Sequence, residues 1–516
     1  MKILLIALVF AFSSLAFAAR PAAPVITVEV SQIKQLTFEW QPLTGVTQYQ
    51  LWFKASDEAA WVKYTEKPAP RTSITASVAV HLLEWPQARY QLKACNTDGC
   101  STSNTVRVNH GEKLVAMGFF KPDTPTGVAS FGGQLAVSAD GSTLAALAGE
   151  VVNGNTSSLV IYVYRRTSAG WRRDARLVPS TVQPFTAQLY LGDPVALSGD
   201  GNLLAVGAWY ENGSGDSARE AGAVYLFRRS GSTWHEAQKV TGQNVGGDNF
   251  GLGVKLDDAG HTLAVAHTVA GEARSEGGTV EVYRDPADAS DQFVHDLTVN
   301  VPMANGAAQD CGSIAFSGDG QSLLRTCYDR ANSRGFLQVL RSPGFAESSR
   351  ILLSEGQRSP DVSFDGATLI VMDNGAATIY RLGASGWASE ARLGSFGAED
   401  YGGGRRVAIS RDGKIAAIGV PSDVAAGLGP IFPPYQTAET DSGGVVVHER
   451  RSTGWVLRRL VKPGSANHQW GGWAVALGDN GRVLAAGSMF DPSAATGING
   501  DRDDDSAPNR GAVWLY

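Results

Sequence analysis

The sequence predicts an all-β protein: a small β-sandwich followed by a seven-bladed β-propeller, its ring closed by an N-terminal outer strand. Three observations predict this. Glycine is abundant, 60 of 516 residues, without collagen periodicity, which points to many tight turns between short strands. From residue 110 onward the chain repeats one scheme of apolar strand, Asp-Gly-type turn, second apolar strand, variable loop and third strand. The turn glycines are Gly141, Gly201, Gly260, Gly320, Gly366, Gly413 and Gly481, and seven units at such a period mark a propeller or solenoid. Ahead of the repeats, residues 22–109 hold short alternating strands at the spacing of a sandwich.

The N-terminus comes first. Lys2, an apolar run from Ile3 to Phe12 and the small-x-small triplet Ala16-Phe17-Ala18 read residues 1–18 as a signal peptide. The apolar run is short for a membrane span, and no later window stays apolar for ~18 residues. No cysteine follows the cleavage site to carry a lipid. The expectation is an exported chain, extracellular or periplasmic, without a membrane span and monomeric. The four cysteines fit an oxidising compartment. Cys95 and Cys100 flank Asn96-Thr97-Asp98-Gly99, and Cys311 and Cys327 stand equally far from Asp319 in a hairpin turn. Each pair is expected to form a cross-strand disulfide. A net charge of −6 argues against a nucleic-acid partner, which needs a basic surface.

In residues 22–109, Leu36-Thr37-Phe38-Glu39-Trp40 and Tyr49-Gln50-Leu51-Trp52-Phe53 alternate as half-buried strands do. Tyr90-Gln91-Leu92-Lys93-Ala94-Cys95-Asn96 and Thr105-Val106-Arg107-Val108 follow. These residues resemble a fibronectin type III domain. Trp40 matches the buried tryptophan of the second strand, and Tyr90 the corner tyrosine, with Pro86 four positions before it. Glu84 stands where that family has a leucine, with Leu83 beside it. No Arg-Gly-Asp tripeptide is present.

The second repeat shows the scheme best. Val195-Ala196-Leu197-Ser198 leads into Gly199-Asp200-Gly201, then come Leu203-Leu204-Ala205-Val206-Gly207-Ala208 and Gly222-Ala223-Val224-Tyr225-Leu226-Phe227. Glycine takes the positive φ of the turn, and the aspartate before it tolerates the tight geometry. Between repeats a polar link reaches a tryptophan (Trp171, Trp234, Trp387, Trp455), read as packing of an outer strand. An aromatic-glycine pair then opens the next repeat: Phe131-Gly132, Phe250-Gly251, Tyr401-Gly402 and, loosely, Trp470-Gly471. As a set these segments resemble the FG-GAP repeats of the integrin α-chain propeller and its bacterial relatives. The fourth and fifth repeats lack the Phe-Gly pair, and the fourth has Arg325-Thr326-Cys327 where the family has small residues. The last repeat reaches only its third strand at Tyr516. Glu112-Lys113-Leu114-Val115-Ala116-Met117 occupies the outer-strand position and is expected to pair with it, removing an open edge.

Integrin-type repeats bind calcium in turns rich in aspartate. The turns here carry one or two acids each, short of the six to eight oxygens calcium takes, and read as plain hairpin turns. The metal candidate is the acidic loop 499–506, where Asp501, Asp503 and Asp505 alternate. Serine replaces the EF-hand glycine, so a solvated loop and a calcium site both stand as readings. The loops between second and third strands vary most, and variable loops on a rigid scaffold are where binding sits. Their ligand-binding candidates are Trp209, Tyr210, Glu211, Phe432, Pro434, Tyr435 and Phe490, whose aromatic faces suit sugars or peptides; packing of the loop is the equal alternative. No zinc-protease, serine-hydrolase or phosphate-loop motif occurs. The sequence therefore points to an exported, non-enzymatic binding or adhesion scaffold for an extracellular protein or glycan. The alternatives are a lectin-like propeller or an extracellular hydrolase without recognisable motifs. Paired acids of shifted pKa in a central cleft would favour the hydrolase.

Overall fold

The computed structural model describes residues 19–516 apart from 84–86, 109–112, 124–126, 153–155, 182–191, 215–218, 244, 269–277, 286–291, 305–306, 330, 355–358, 374–375, 395–405, 421–430, 433–442, 462–470, 503 and 505. The signal-peptide segment 1–18 lies outside them. The chain is all-β with almost no helix, and no described helix is long and apolar enough to cross a membrane. It divides into two compact units. One takes the chain up to Ser31 with Gln35–Ser77 and Leu83–Lys113; the other takes Gln32–Lys34, Val78–Leu82 and Leu114–Tyr516.

The first unit holds a three-stranded sheet (Ile26–Gln32, Gln35–Trp40, Ser73–Ser77) and a four-stranded one (Val62–Pro68, Gln48–Lys54, Arg89–Asn96, Gly99–Thr102). Alternation in the sequence becomes alternation in burial: Leu36, Phe38 and Trp40 face inward. Trp40 packs on Tyr49 at 4.8 Å between ring centroids, and Phe38 on Tyr90 at 5.1 Å. Tyr90 is buried, and its hydroxyl meets no hydrogen-bond partner among the described residues. Glu84 and Pro86 lie outside the described residues. Cys95 and Cys100 sit directly opposite one another and are disulfide-bonded.

The second unit is propeller-like. Mostly four-stranded antiparallel sheets follow one another in chain order, strand pairing with next strand along the sequence; the first and sixth carry a fifth, two-residue strand, and the last is completed from the N-terminal side. The second repeat, for example, runs Val195–Leu197, Leu203–Gly207, Ala223–Ser230, Thr233–Thr241. The first strands of the successive sheets are Leu135–Val137, Val195–Leu197, Gly253–Leu256, Asp310–Phe316, Pro360–Val362, Val407–Ile409 and Gly471–Gly478. Each lies against the next, and the last lies against the first. Both faces of a sheet are therefore covered, and second and third strands read as continuous apolar runs because both sides are buried. Leu204, Val206 and Tyr225 pack onto Leu147, Ile161 and Val163 of the preceding sheet. Leu203, Ala205 and Val224 pack onto Val254, Leu263 and Val265 of the following one.

All seven turn glycines have positive φ, between 62° and 78°. In the first, second, fourth, fifth and sixth repeats the turn is locked from within. Ser198 Oγ donates to Asp200 Oδ1 at 2.7 Å, which also accepts from the Asn202 amide at 3.0 Å. Ser138–Asp140, Ser317–Asp319, Ser363–Asp365 and Ser410–Asp412 repeat this. The aspartates are thus engaged by their own turns. The turns also bond to their neighbours through backbone. Asp479 N–H donates to Ala139 O, Asp140 to Gly199, Gly199 to Asp258, Asp258 to Gly318, Asp319 to Phe364 and Phe364 to Arg411, all at 2.8–3.2 Å. This belt draws one end of the sheets together.

Two expectations need correction. The last sheet is completed by an N-terminal segment, but by Gly118–Phe120, paired as Val513↔Phe120, Trp514↔Phe119 and Leu515↔Gly118. Residues Lys113–Ala116 form a single helical turn instead. A short apolar run does not distinguish strand from helix; Ala116 and Met117 bury as completely as Phe119 and Phe120, and Phe119 packs on Trp514 at 4.6 Å. The glycine that opens the last repeat is Gly472, not Gly471. It carries φ 84°, and its carbonyl lies against Gly419 with no room for a Cβ. Trp470, Tyr401 and Gly402 lie outside the described residues.

Candidate functional site

The loop candidates separate on inspection. Trp209 and Glu211 are buried, 6% and 4% exposed. Tyr210 is half-buried and meets Trp209 edge-on at 5.6 Å. Glu211 accepts from the Tyr225 hydroxyl at 2.6 Å and pairs with Lys239 at 2.5 Å. Glu150 does the same in the first repeat with Tyr162 (2.6 Å) and Arg176 (2.9 Å). In the last sheet buried Asp491 pairs with buried Lys121 at 2.9 Å. An acid after the second strand and a cation on the outer-strand side is thus a recurring lock within a sheet. Glu211 belongs to that lock. Phe490 is half-buried, 6.4 Å from the Trp473 ring. Phe432 lies in a two-residue strand, Ile431–Phe432, pairing in parallel with Leu460 and Val461. Pro434 and Tyr435 lie outside the described residues, as do Asp503 and Asp505. Asp501 is exposed, and its backbone carbonyl accepts from Ser493 Oγ at 2.9 Å.

A different set of side chains converges where the first strands begin. Asp193 and Gly192 enter the second sheet, Lys255 lies in the third, Asp361 in the fifth, and Arg406 immediately precedes the sixth. Lys255 Nζ pairs with Asp193 Oδ2, and Arg406 Nη1 approaches Asp193 Oδ1 at 3.4 Å. Arg406 also donates to the Gly192 carbonyl, which receives Gln134 Nε2 of the first sheet at 3.0 Å. Asp361 Oδ2 accepts from the Ile409 amide at 2.8 Å. The linking loops meet at this same end: the Asn249 and Phe250 amides donate to Glu220 and Ala221 at 2.9 and 3.0 Å.

The electrostatics set the two carboxyls apart. Burial works to raise Asp193, but Lys255 and Arg406 outweigh it and hold it below the usual carboxylate range. Burial pushes Asp361 up to about 6 against the backbone N–H of Ile409, Lys255 and a second backbone donor, with charged Asp193 adding to the rise. Asp193 keeps 30% and Lys255 22% of their side-chain surface accessible, so the cluster borders solvent. Arg406 is 9% exposed, and its Nε has no acceptor. The opposite end differs. There Arg411 Nε donates to Asp258 at 2.6 Å and its guanidinium covers the Phe364 ring at 3.6 Å, inside the belt of turns. An arrangement of two carboxyls, an ammonium, a guanidinium and an amide can hold hydroxyl groups, or pass a proton between Asp361 and a bound molecule.

A signal for this cluster is present in the sequence. Five residues before the turn glycines stand Ala136, Ala196, Lys255, Ala315, Asp361, Ala408 and Ala476. The register confirms the equivalence: Ala136, Ala196, Lys255, Asp361, Ala408 and Ala476 each face the fourth residue after the turn glycine. Five repeats use alanine, and only the third and fifth use charge.

No family model and no curated protein matches the chain. Among solved structures, it is similar to Kuenenia stuttgartiensis hydrazine synthase, at 15% identity and a TM-score of 0.43, over 69% of this chain and 92% of that one. It is also similar to a structural-genomics protein from Lactobacillus plantarum, at 13% identity and a TM-score of 0.41, over 68% and 90%.

Proposed function

We propose that this chain is an exported, non-enzymatic binding scaffold that presents the link-side end of its repeats to an extracellular protein or glycan. In this reading the sheets are seven blades of one propeller of FG-GAP type, and the first unit is a fibronectin type III-type module. One observation carries the reading: charged side chains from four separate repeats, Asp193 and Lys255 among them open to solvent, converge at the end where the linking loops also gather, whereas the turn end is drawn together by backbone bonds and by Arg411. Fold alone assigns no activity, so the site must bear the argument. The acid pair Asp193 and Asp361 supports a second reading, a hydrolase acting at the same mouth, since one carboxyl is ionised where the other holds its proton to about pH 6.

The test is site-specific photo-crosslinking of the secreted chain in its own extracellular medium. A crosslinker at exposed Glu220, on the link side, is expected to capture a partner that one at exposed Gln321, in a turn, does not. Equal capture from both positions, or none from Glu220, overturns the binding face. Release of reducing sugar or peptide by the purified chain would replace the scaffold reading with the hydrolytic one.

A further inference from the structure

We propose that Lys255, Asp361 and Arg406 form an axial subsite for a neutral, polyhydroxylated ligand, the end of an uncharged saccharide. The inference deepens the link-side reading and rests on it. It begins with the repeats themselves. Where five of them place alanine on the first strand, the third and fifth place Lys255 and Asp361. Five sheets close with alanine at that level, so the sheet itself does not call for charge there; Lys255 pairs with Asp193, and Asp361 accepts from the Ile409 amide. Burying charges carries a desolvation penalty that a small apolar residue avoids.

The second observation is Arg406. It is nine-tenths buried, yet its Nε finds no acceptor while its two terminal nitrogens reach Asp193 and Gly192 across from the sixth repeat to the second. A buried donor left unpaired is an opening for an acceptor supplied from outside. The charge balance then selects the class. Asp193 and Asp361 offset Lys255 and Arg406, so an anion or a cation would meet a like charge in the cluster. A hydroxyl both donates and accepts. It can accept a hydrogen bond from Lys255 Nζ, whose side chain reaches solvent, and donate one to Asp361, with Arg406 Nε the buried donor behind them. The neighbouring first strands add small and apolar surface that keeps some accessibility, Ala136, Leu197 and Ala476, against which the C–H face of a sugar ring rests.

The repeats also supply the test. The double variant Lys255→Ala, Asp361→Ala installs the residue that the other five repeats carry, so it is expected to fold with a melting temperature equal to or above that of the parent. Both full-length secreted proteins are applied to a printed array of neutral and acidic glycans. The parent is expected to bind neutral glycans, with affinity at least tenfold weaker in the double variant and in Arg406→Met. Binding by the parent that both variants retain unchanged overturns the subsite while leaving the link-side face in place. A parent that binds only acidic glycans, or none, overturns the ligand class. Capture at Glu220 in the crosslinking experiment separates that result from failure of the binding face as a whole. If the double variant fails to fold, the two charges are structural, and the inference falls on that ground.

Discussion

The second and fourth repeats build the same four-stranded sheet from opposite materials. Counted from their turn glycines, Val206, Gly207 and Ala208 of the second stand where Arg325, Thr326 and Cys327 stand in the fourth. In the second, the strand is wholly apolar. Gly207 lies against the Gly251 carbonyl of the next repeat with no space for a side chain. Opposite Val206, Tyr225 sends its hydroxyl to Glu211. In the fourth, Arg325 is fully buried opposite Gln338. Its guanidinium donates to Gln338 Oε1 at 2.6 and 3.1 Å and to the carbonyls of Gly278, Val299 and Asn300 at 2.6, 3.3 and 3.0 Å. Thr326 Oγ1 donates to the Ser313 carbonyl at 3.4 Å, and Cys327 is bonded to Cys311. The sheet demands covered faces and paired polar groups, not particular residues.

Three leading substitutions, each set beside a comparator, break or sharpen this contrast. The largest effect is expected from Arg325→Ala. It leaves Gln338 and the carbonyls of Gly278, Val299 and Asn300, the first two of them buried, without this donor, a loss of about 3–5 kcal/mol by analogy with other broken buried charge networks. Urea denaturation should show it well above the loss from Val206→Ala; parity between the two would mean that the guanidinium is dispensable. Next comes Gly207→Ala, which forces a methyl into backbone and is expected to lose about 2–3 kcal/mol. Thr326→Ala at the equivalent place should lose less than about 1 kcal/mol, and thermal melting of the pair reads the difference directly. The smallest of the three leading effects is Tyr225→Phe, which removes a hydrogen bond to a charged acceptor and should lose about 1.5 kcal/mol. Tyr162→Phe in the first repeat should match it, since Glu150 takes the same part there; unequal losses would show that the lock is not one recurring device.

Much of the scaffold can be read from the residues. The glycine positions mark all seven turns because an Asp-Gly turn with positive φ leaves few substitutes. Both disulfides follow from cysteines placed symmetrically about hairpins. The closing strand was misplaced by a few positions because residues 113–117 are as apolar as 118–120, and a run that short has no usable period. The first-strand alanines, with their two charged exceptions, were open to inspection in an alignment of the repeats, but no motif names them. The pairing of Arg406 with Asp193 was not: only the closed arrangement of first strands brings the sixth repeat to the second. Two of the loop candidates are hidden from a ligand for a reason of the same kind. Trp209 and Glu211 have the chemistry of a binding surface, and burial is decided by what the chain folds over them.

The pairing of Gly118–Phe120 with Ala512–Leu515 has a bearing on how the molecule comes into being. The earlier ladders join segments near one another along the chain, so each can form as synthesis proceeds. This one joins the two extremes of the repeat array, and such distant contacts carry the largest entropic delay. Until Ala512–Leu515 are available to pair, the first and last sheets each expose a bare flank, Phe119 and Phe120 among it. Biogenesis therefore passes through an unclasped intermediate with a sticky seam, and its window of vulnerability ends in a single stroke when Trp514 meets Phe119.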